Sequence, residues 1–352
     1  MPATNATTEI QAQRKLSAEF MNDLLPASPD NPNSGLLNPI LERVKNDNTL
    51  LLCIREDYIN IYYRGCNLLK ITRRTRPPSY AFEFSDDEIT EAGNPGGYKA
   101  GGFSPQTGEK TVKTPKQVAR WTDCFPSMKQ AIDCYLTTKV GKKEREFQQT
   151  VAMENTRSKI AKNTDYFLFD LEYVIYVPRD LDDKKFNGKM KQCKVDLVGI
   201  KRRRDDGRQK ASYQLVFIEM KYGSQALDGD AGIDEHIKDF RKFTEDDVKI
   251  AKVTMETTAD QLFKLGLLED CGLGRIQISD DPPEYVLLLA NLYTGSTKPK
   301  TISIDETNAR KLENLRFAHA NFLGYGLFNN KMLSLGGFLD EVKKVQSKIR
   351  AN

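Results

Sequence analysis

Cys193-Lys194-Val195-Asp196-Leu197-Val198-Gly199-Ile200 and, after a polar basic interval, Tyr213-Gln214-Leu215-Val216-Phe217-Ile218-Glu219-Met220-Lys221-Tyr222 are the two stretches that decide how this chain folds. Each is a short apolar run with ionisable residues set into it, and the interval between them has hairpin-loop character, so the two runs are expected to be neighbouring strands. Residues two apart in a strand share a face, which points Glu219 and Lys221 together and Met220 into the opposite layer. With Asp196 at matching depth on the adjacent strand, three ionisable groups converge. Taking even a neutral polar group out of water unpaired costs roughly 2–7 kcal/mol, and an ion more. Such a trio therefore implies either ion pairing across a sheet or a bound cation.

The same periodicity, followed outward, gives an ordered series. A helix is expected from residue 142 to about Ile160, then strands at Tyr166–Val177, Cys193–Ile200 and Tyr213–Tyr222. Helical patterning follows from Ile233 through Leu265, and an apolar strand from Glu284 to Leu292. The order is αβββαβ. Two further helices are expected at Thr307–Phe322 and Phe338–Ile349. The second carries Phe338, Val342, Val345 and Ile349 on one stripe, which packs on the sheet or on a second subunit as a homodimer.

Upstream, the prolines at 26, 29, 32 and 39 mark a loop after a short N-terminal helix, and three close apolar stretches from Thr49 to Ile71 suggest an antiparallel meander. Residues 86–116 are rich in Gly and Pro and read as a long loop. The expected division is an N-terminal helix and linker (1–39), a β-rich domain (40–135) and a larger domain with C-terminal helices (136–352).

Composition narrows the chemistry. The 352 residues are 39% hydrophobic with a net charge of +4, enough for a real core but no polycation. Six cysteines without a C-x-x-C pair argue against a disulfide framework or a zinc knuckle, and suit a reducing cytoplasm. No apolar run is long enough to span a bilayer, so no membrane partner is expected. Two histidines, His236 and His319, are too few for sites built on several imidazoles at fixed spacing. Carboxylate chemistry remains: Asp196 and Glu219, helped by the backbone carbonyl of Met220, suit a hard cation such as Mg²⁺ or Mn²⁺, and Lys221 would orient an attacking water.

Asp196 followed by Glu219-Met220-Lys221, within that element order, resembles the PD-(D/E)XK nuclease superfamily, with Val195 in the place of its proline. The stretch from Glu144 to Tyr222, including Glu144-Arg-Glu-Phe-Gln-Gln149, Glu154-Asn155, Thr164-Asp165-Tyr166 and Asp170-Leu171-Glu172-Tyr173, is similar to uncharacterised bacterial members. The resemblance covers residues 142–292. It implies an α/β chain, α+β overall, with a restriction-endonuclease-like αβββαβ core in its C-terminal two-thirds and the β-meander domain outside it. It also implies a metal-dependent nuclease that hydrolyses DNA.

Superfamily members often add a carboxylate from the first helix. Glu144, Glu146 and Glu154 are candidates, and Glu154 is favoured, with Glu146 second, because Val140, Phe147, Val151 and Glu154 share a stripe. Asp170 and Glu172 either extend the acidic site or lie on a solvated sheet face. His236 is either a contact to the metal water or to a DNA phosphate, or an ordinary helix residue.

Eleven Lys and Arg residues lie between Lys184 and Lys210. Of these Lys201, Arg202, Arg203, Arg204, Arg208 and Lys210 form the interval between the two deciding strands and are expected to meet nucleic-acid phosphates. DNA is the expected partner, with RNA as the alternative. Two other readings are a catalytically inactive nucleic-acid- or partner-binding module, and a defence protein against foreign DNA, as in phage defence, whose N-terminal meander gates the nuclease.

Overall fold

A computed structural model of the chain describes residues 12–27, 29, 34–84, 108–138, 143–178, 190–203, 212–223, 232–268, 271–273, 275–291, 304–320 and 324–351. Its architecture is mixed α and β, with two five-stranded sheets.

The first sheet is an antiparallel meander, ordered β1 (Leu50–Ile54), β2 (Tyr58–Tyr63), β3 (Cys66–Thr75), β4 (Pro78–Glu83) and β5 (Thr111–Val112). Between β2 and β3 the chain reverses through Arg64 and Gly65, both at positive φ (50° and 73°), the geometry of a two-residue hairpin that follows the twist of its strands. Helices α1 (Ala18–Leu24), α2 (Asn38–Asn46), α3 (Pro115–Asp123) and α4 (Phe125–Thr138) belong to this half. The boundary expected after residue 135 falls inside α4.

The second sheet is ordered β10 (Leu315–Ala320), β9 (Glu284–Ala290), β8 (Ser212–Tyr222), β7 (Met190–Arg203) and β6 (Tyr166–Pro178). β6, β7 and β8 pair antiparallel, while β8, β9 and β10 are parallel. β9, buried at all seven residues, opens with Glu284 and from Val286 to Ala290 has the apolar run of a central parallel strand.

Helix α5 (Lys143–Glu154) lies between the two sheets. Its Phe147, Val151 and Ala152 join Leu197, Ile218, Met220 and Leu288 of the second sheet and Leu51, Cys53 and Tyr62 of the first in one apolar cluster. Gln149 fastens the meander to it: Oε1 accepts from the Gly65 N–H (2.6 Å) and Nε2 donates to the Thr49 carbonyl (3.0 Å). The opposite face of the second sheet carries α6 (Ile233–Phe240), α7 (Glu245–Lys264) and α9 (Leu335–Ala351). There Phe240 meets Tyr285 (5.0 Å between centroids), and Phe338 stacks on Phe317 (4.3 Å). Of the stripe begun by Phe338, Phe338 and Val342 are buried here, while the side chains of Val345 and Ile349 lie outside the described ones.

A strap of chain ahead of α1 closes the molecule. Leu16 exchanges hydrogen bonds with Gln261 of α7 (2.9 and 2.8 Å), Gln13 N–H donates to Thr254 (3.1 Å), and the Lys15 carbonyl accepts from Asp57 N–H (3.1 Å). Arg14 from the strap and Arg55 from the meander both pair with Asp170 of β6, whose side chain is 1% exposed. Burial disfavours the Arg55 cation, but the Asp170 carboxylate together with Tyr62 and Cys53 holds the guanidinium pKa well above its usual value.

Three expectations need correction. The helix expected over Thr307–Phe322 is not formed by its described residues: α8 (Glu306–Ala309) is a single turn capped by Asp305, and Leu315–Ala320 forms β10, because pairing with β9 buries its apolar residues. The helix expected over 233–265 is broken at residues 241–244, where Thr244 and Asp247 form the capping box that starts α7. Asp170 neither extends the acidic site nor lines a solvated face: it is the buried partner of two arginines. Glu172 sits at φ +53° and pairs with Arg145 (3.3 Å), and its charge is felt by Asp196 opposite it.

Candidate active site at the split between two strands

The deciding strands part at the site itself. Leu197↔Ile218 is the last β7–β8 pair on this side, so Asp196 and Glu219 face each other one step beyond it. Here β7 leaves its partner while β8 continues against β9. The Met220 N–H, turned toward the vacated side, donates to Asp196 Oδ2 (2.8 Å). In a strand the carbonyl of a residue points the same way as its N–H, so the Met220 carbonyl also faces this gap. On the far side of the register, Glu172 and its positive φ lie across β6 from Asp196.

Charge is concentrated there. Glu219 (4% exposed) and Lys221 (5%) are buried, and Lys221 Nζ donates to Glu219 Oε1 (3.1 Å). His236 of α6 places Nε2 at 3.1 Å from the same oxygen. Burial raises the Asp196 pKa to about 7; the Met220 N–H works against this rise and the nearby Glu144 carboxylate adds to it. Burial also pushes Glu219 well above the usual carboxylate range; the Asp196 charge raises it further and Lys221 opposes the rise.

The helix carboxylate at this site is Glu144, whose Oε2 accepts from the Tyr222 N–H (3.3 Å). Glu154 and Glu146, the two expected residues, are elsewhere. Glu154 lies at the far end of α5, in a cleft with Lys45, Asn48 and Arg157, and Glu146 is bound by Arg64 Nε (2.7 Å). On a helix of 100° per residue, Glu144, Gln148, Val151 and Asn155 form one stripe, and the last three of them are buried. An apolar-only count misses it because Gln148 and Asn155 are polar. Spacing of i, i+4, i+7 and i+11 was the signal that could have singled out Glu144 among the three candidates.

The described residues of the basic interval, Lys201, Arg202 and Arg203, are not beside this site. The interval joins the start of β8 to the end of β7, whereas Glu219 lies seven residues along β8. Lys201 and Arg203 are five and seven residues from Asp196, about 16–23 Å along the strand. All three described cations there are engaged: Lys201 with Glu284 (2.6 Å), Arg203 with Asp281 (2.6 Å), and Arg202 with the Cys271 carbonyl (3.1 Å) and the Phe167 ring (4.7 Å). Arg204, Arg208 and Lys210 lie outside the described residues.

No family model matches the chain, and no curated protein or solved structure matches it. The site therefore has to be judged on its donors. Among the described residues no three His, Cys, Asp or Glu side chains are grouped as a metal cage. Two facing carboxylates with a strand carbonyl do fit Mg²⁺ or Mn²⁺, since Mg²⁺ commonly takes one or two carboxylates and completes its shell with water and phosphate. Among these residues no helix is long and apolar enough to cross a membrane.

Proposed function

We propose that the chain is a metal-dependent nuclease with a restriction-endonuclease-like core that hydrolyses DNA phosphodiester bonds. One observation carries this reading: Asp196 faces Glu219 at the split of β7 from β8, with the Lys221 ammonium 3.1 Å from Glu219 on the same face. The order α5-β6-β7-β8, then α6 and α7, then β9 agrees with it.

In this reading Asp196, Glu219 and the Met220 carbonyl hold Mg²⁺ or Mn²⁺, which when bound supplies Lewis-acid polarisation of the phosphate and a more acidic water. Lys221, fixed by Glu219, orients the attacking water in line with the scissile bond and offsets charge developing on the phosphate oxygens. Glu144 stands on the other side of the pair, where it can accept a proton from water.

A second reading, a catalytically inactive nucleic-acid-binding module, has one observation in its favour. Glu219 Oε1 already meets both Lys221 and His236 at 3.1 Å. The test is cleavage of linear, circular and single-stranded DNA with Mg²⁺, Mn²⁺ or EDTA. Metal-dependent cutting that is lost in Asp196→Asn and Lys221→Ala, with circular dichroism unchanged, is the expected result. Salt-sensitive binding without cutting by the wild type would replace the first reading with the second.

A further inference from the structure

A hydrogen bond to a carbonyl satisfies a donor but leaves its positive charge standing. Two arginines at one end of the second sheet are in that condition. Arg202, near the end of β7, donates to the carbonyls of Lys162 (3.4 Å), Cys271 (3.1 Å) and Gly272 (3.4 Å) and lies over the Phe167 ring. Arg316 of β10 uses Nη1 alone, on the carbonyls of Glu313 (3.3 Å) and Leu315 (2.8 Å); its Nε and Nη2 have no hydrogen-bond partner among the described residues. Neither arginine pairs with a carboxylate among those residues.

Both line one open cleft of about 730 Å³, together with Lys201, Arg203, Asp165 and Glu284. Lys201 is balanced by Glu284, Arg203 by Asp281 at the rim, and Asp165, which accepts from the Asn329 N–H (2.9 Å), offsets one cation more. Four cations thus meet three carboxylates, and a positive charge is left over. The cleft is not the catalytic site. By strand alternation Glu284 shares a face with Val286 and Leu288, and Arg316 with Ala318 and Ala320, all of which pack on the α5 side. Glu219 and Lys221 take the other face, where His236 meets Glu219, near the other end of β8.

Strands β7 and β10 are three steps apart in the sheet, about 14 Å at ~4.8 Å a step. Cations rooted so far apart suit a chain of anions better than one small ion. A nucleic-acid strand supplies a charge at every nucleotide, and the guanidinium fork matches phosphate oxygens. The exposed Asn329 and Asn330 on the cleft wall carry amides that both donate and accept, as base edges do, whereas the carboxylates of an acidic peptide only accept. We infer that this cleft binds the sugar–phosphate backbone of a nucleic acid and anchors it away from the catalytic groups. The anchor needs no hydrolysis; in a nuclease it lowers KM and leaves kcat alone.

The test uses the full chain as wild type, Arg316→Gln, Arg316→Lys and the double variant Arg202→Gln/Arg316→Gln, with thermal melts to establish that each folds. Binding of a fluorescein-labelled DNA duplex is measured in EDTA from about 50 to about 200 mM salt, and cleavage in Mg²⁺. Arg316→Gln should weaken binding roughly tenfold at the lower salt and flatten the salt dependence by about one ion, the double variant by about two, while Arg316→Lys stays within about twofold of wild type. At saturating DNA the cleavage rate of Arg316→Gln should equal that of the wild type. Wild-type affinity and slope in Arg316→Gln, or no binding by the wild type, overturns the anchor. Displacement of the DNA by polyglutamate at equal charge, or by inorganic phosphate at equal phosphate, overturns it in favour of an acidic peptide or a small anion. If the Arg316→Gln loss holds while the wild type cuts nothing, the nuclease reading falls and the anchor stands; if Lys221→Ala abolishes cutting while Arg316→Gln binds as the wild type, the reverse is true.

Discussion

Asp196 ties stability to pH with an unusual sign. Its folded pKa of about 7 lies above the ordinary 3.8, so between those values the unfolded chain ionises this carboxyl and the folded chain resists. The contribution is full below about pH 4 and is lost as pH rises through 7. In EDTA, Asp196→Asn should therefore gain stability relative to the wild type from pH 4 to 7 and level off above, as read by urea unfolding. A wild-type advantage growing over that window would contradict the burial argument. Glu144 makes a second residue-scale case: Glu144→Gln should lower metal-dependent cleavage about 10- to 100-fold, while Glu154→Gln leaves the rate near wild type. The Asp196–Glu219–Lys221 trio was legible because strand alternation and register are local facts. Glu144 was among the helix candidates but could not be preferred over Glu154, because a helix face buried through Gln148 and Asn155 has no hydrophobic signature.

Among the elements, β6 and β7 approach closely at Gly199. A β-carbon there would sit 1.9 Å from the Phe167 carbonyl oxygen, so neighbouring backbone has to move and not merely a side chain. Gly199→Ala should destabilise the protein by about 3 kcal/mol or more, measured as a lower denaturant midpoint, and should also reduce activity because Asp196 lies three residues away on the same strand. The strands β6 to β9 could be read from sequence because each is a long apolar run with a recognisable boundary. β10 could not: Leu315-Arg-Phe-Ala-His-Ala320 has little intrinsic preference, and its conformation is decided by β9, its parallel neighbour. The place of Lys201, Arg202 and Arg203 followed from simple strand counting, since they end β7 and Glu219 lies seven residues along β8.

For the molecule as a whole, one apolar core runs from Leu16 through both sheets to Val342. A fragment of residues 136–352 would lose Leu51, Cys53 and Tyr62 from above α5, and leave Asp170 buried without Arg14 or Arg55. Breaking a buried ion pair by removing a partner costs about 3–5 kcal/mol. The fragment should show no cooperative thermal transition and should bind a hydrophobic dye, whereas the full chain unfolds in one step; a fragment with its own sharp transition would show that the halves fold independently. This dependence was invisible in sequence, because the pairs that create it join residues more than a hundred positions apart. The strap makes the point most sharply, and it bears on how the protein is made. Leu16 must wait for Gln261, 245 residues later, which at about 5–20 residues per second is roughly 12–50 s of translation. Throughout that interval Leu16, Phe20 and Leu24 have no finished core to enter, so residues made early are among the later ones to settle, and closure of the strap has to follow the synthesis of α7.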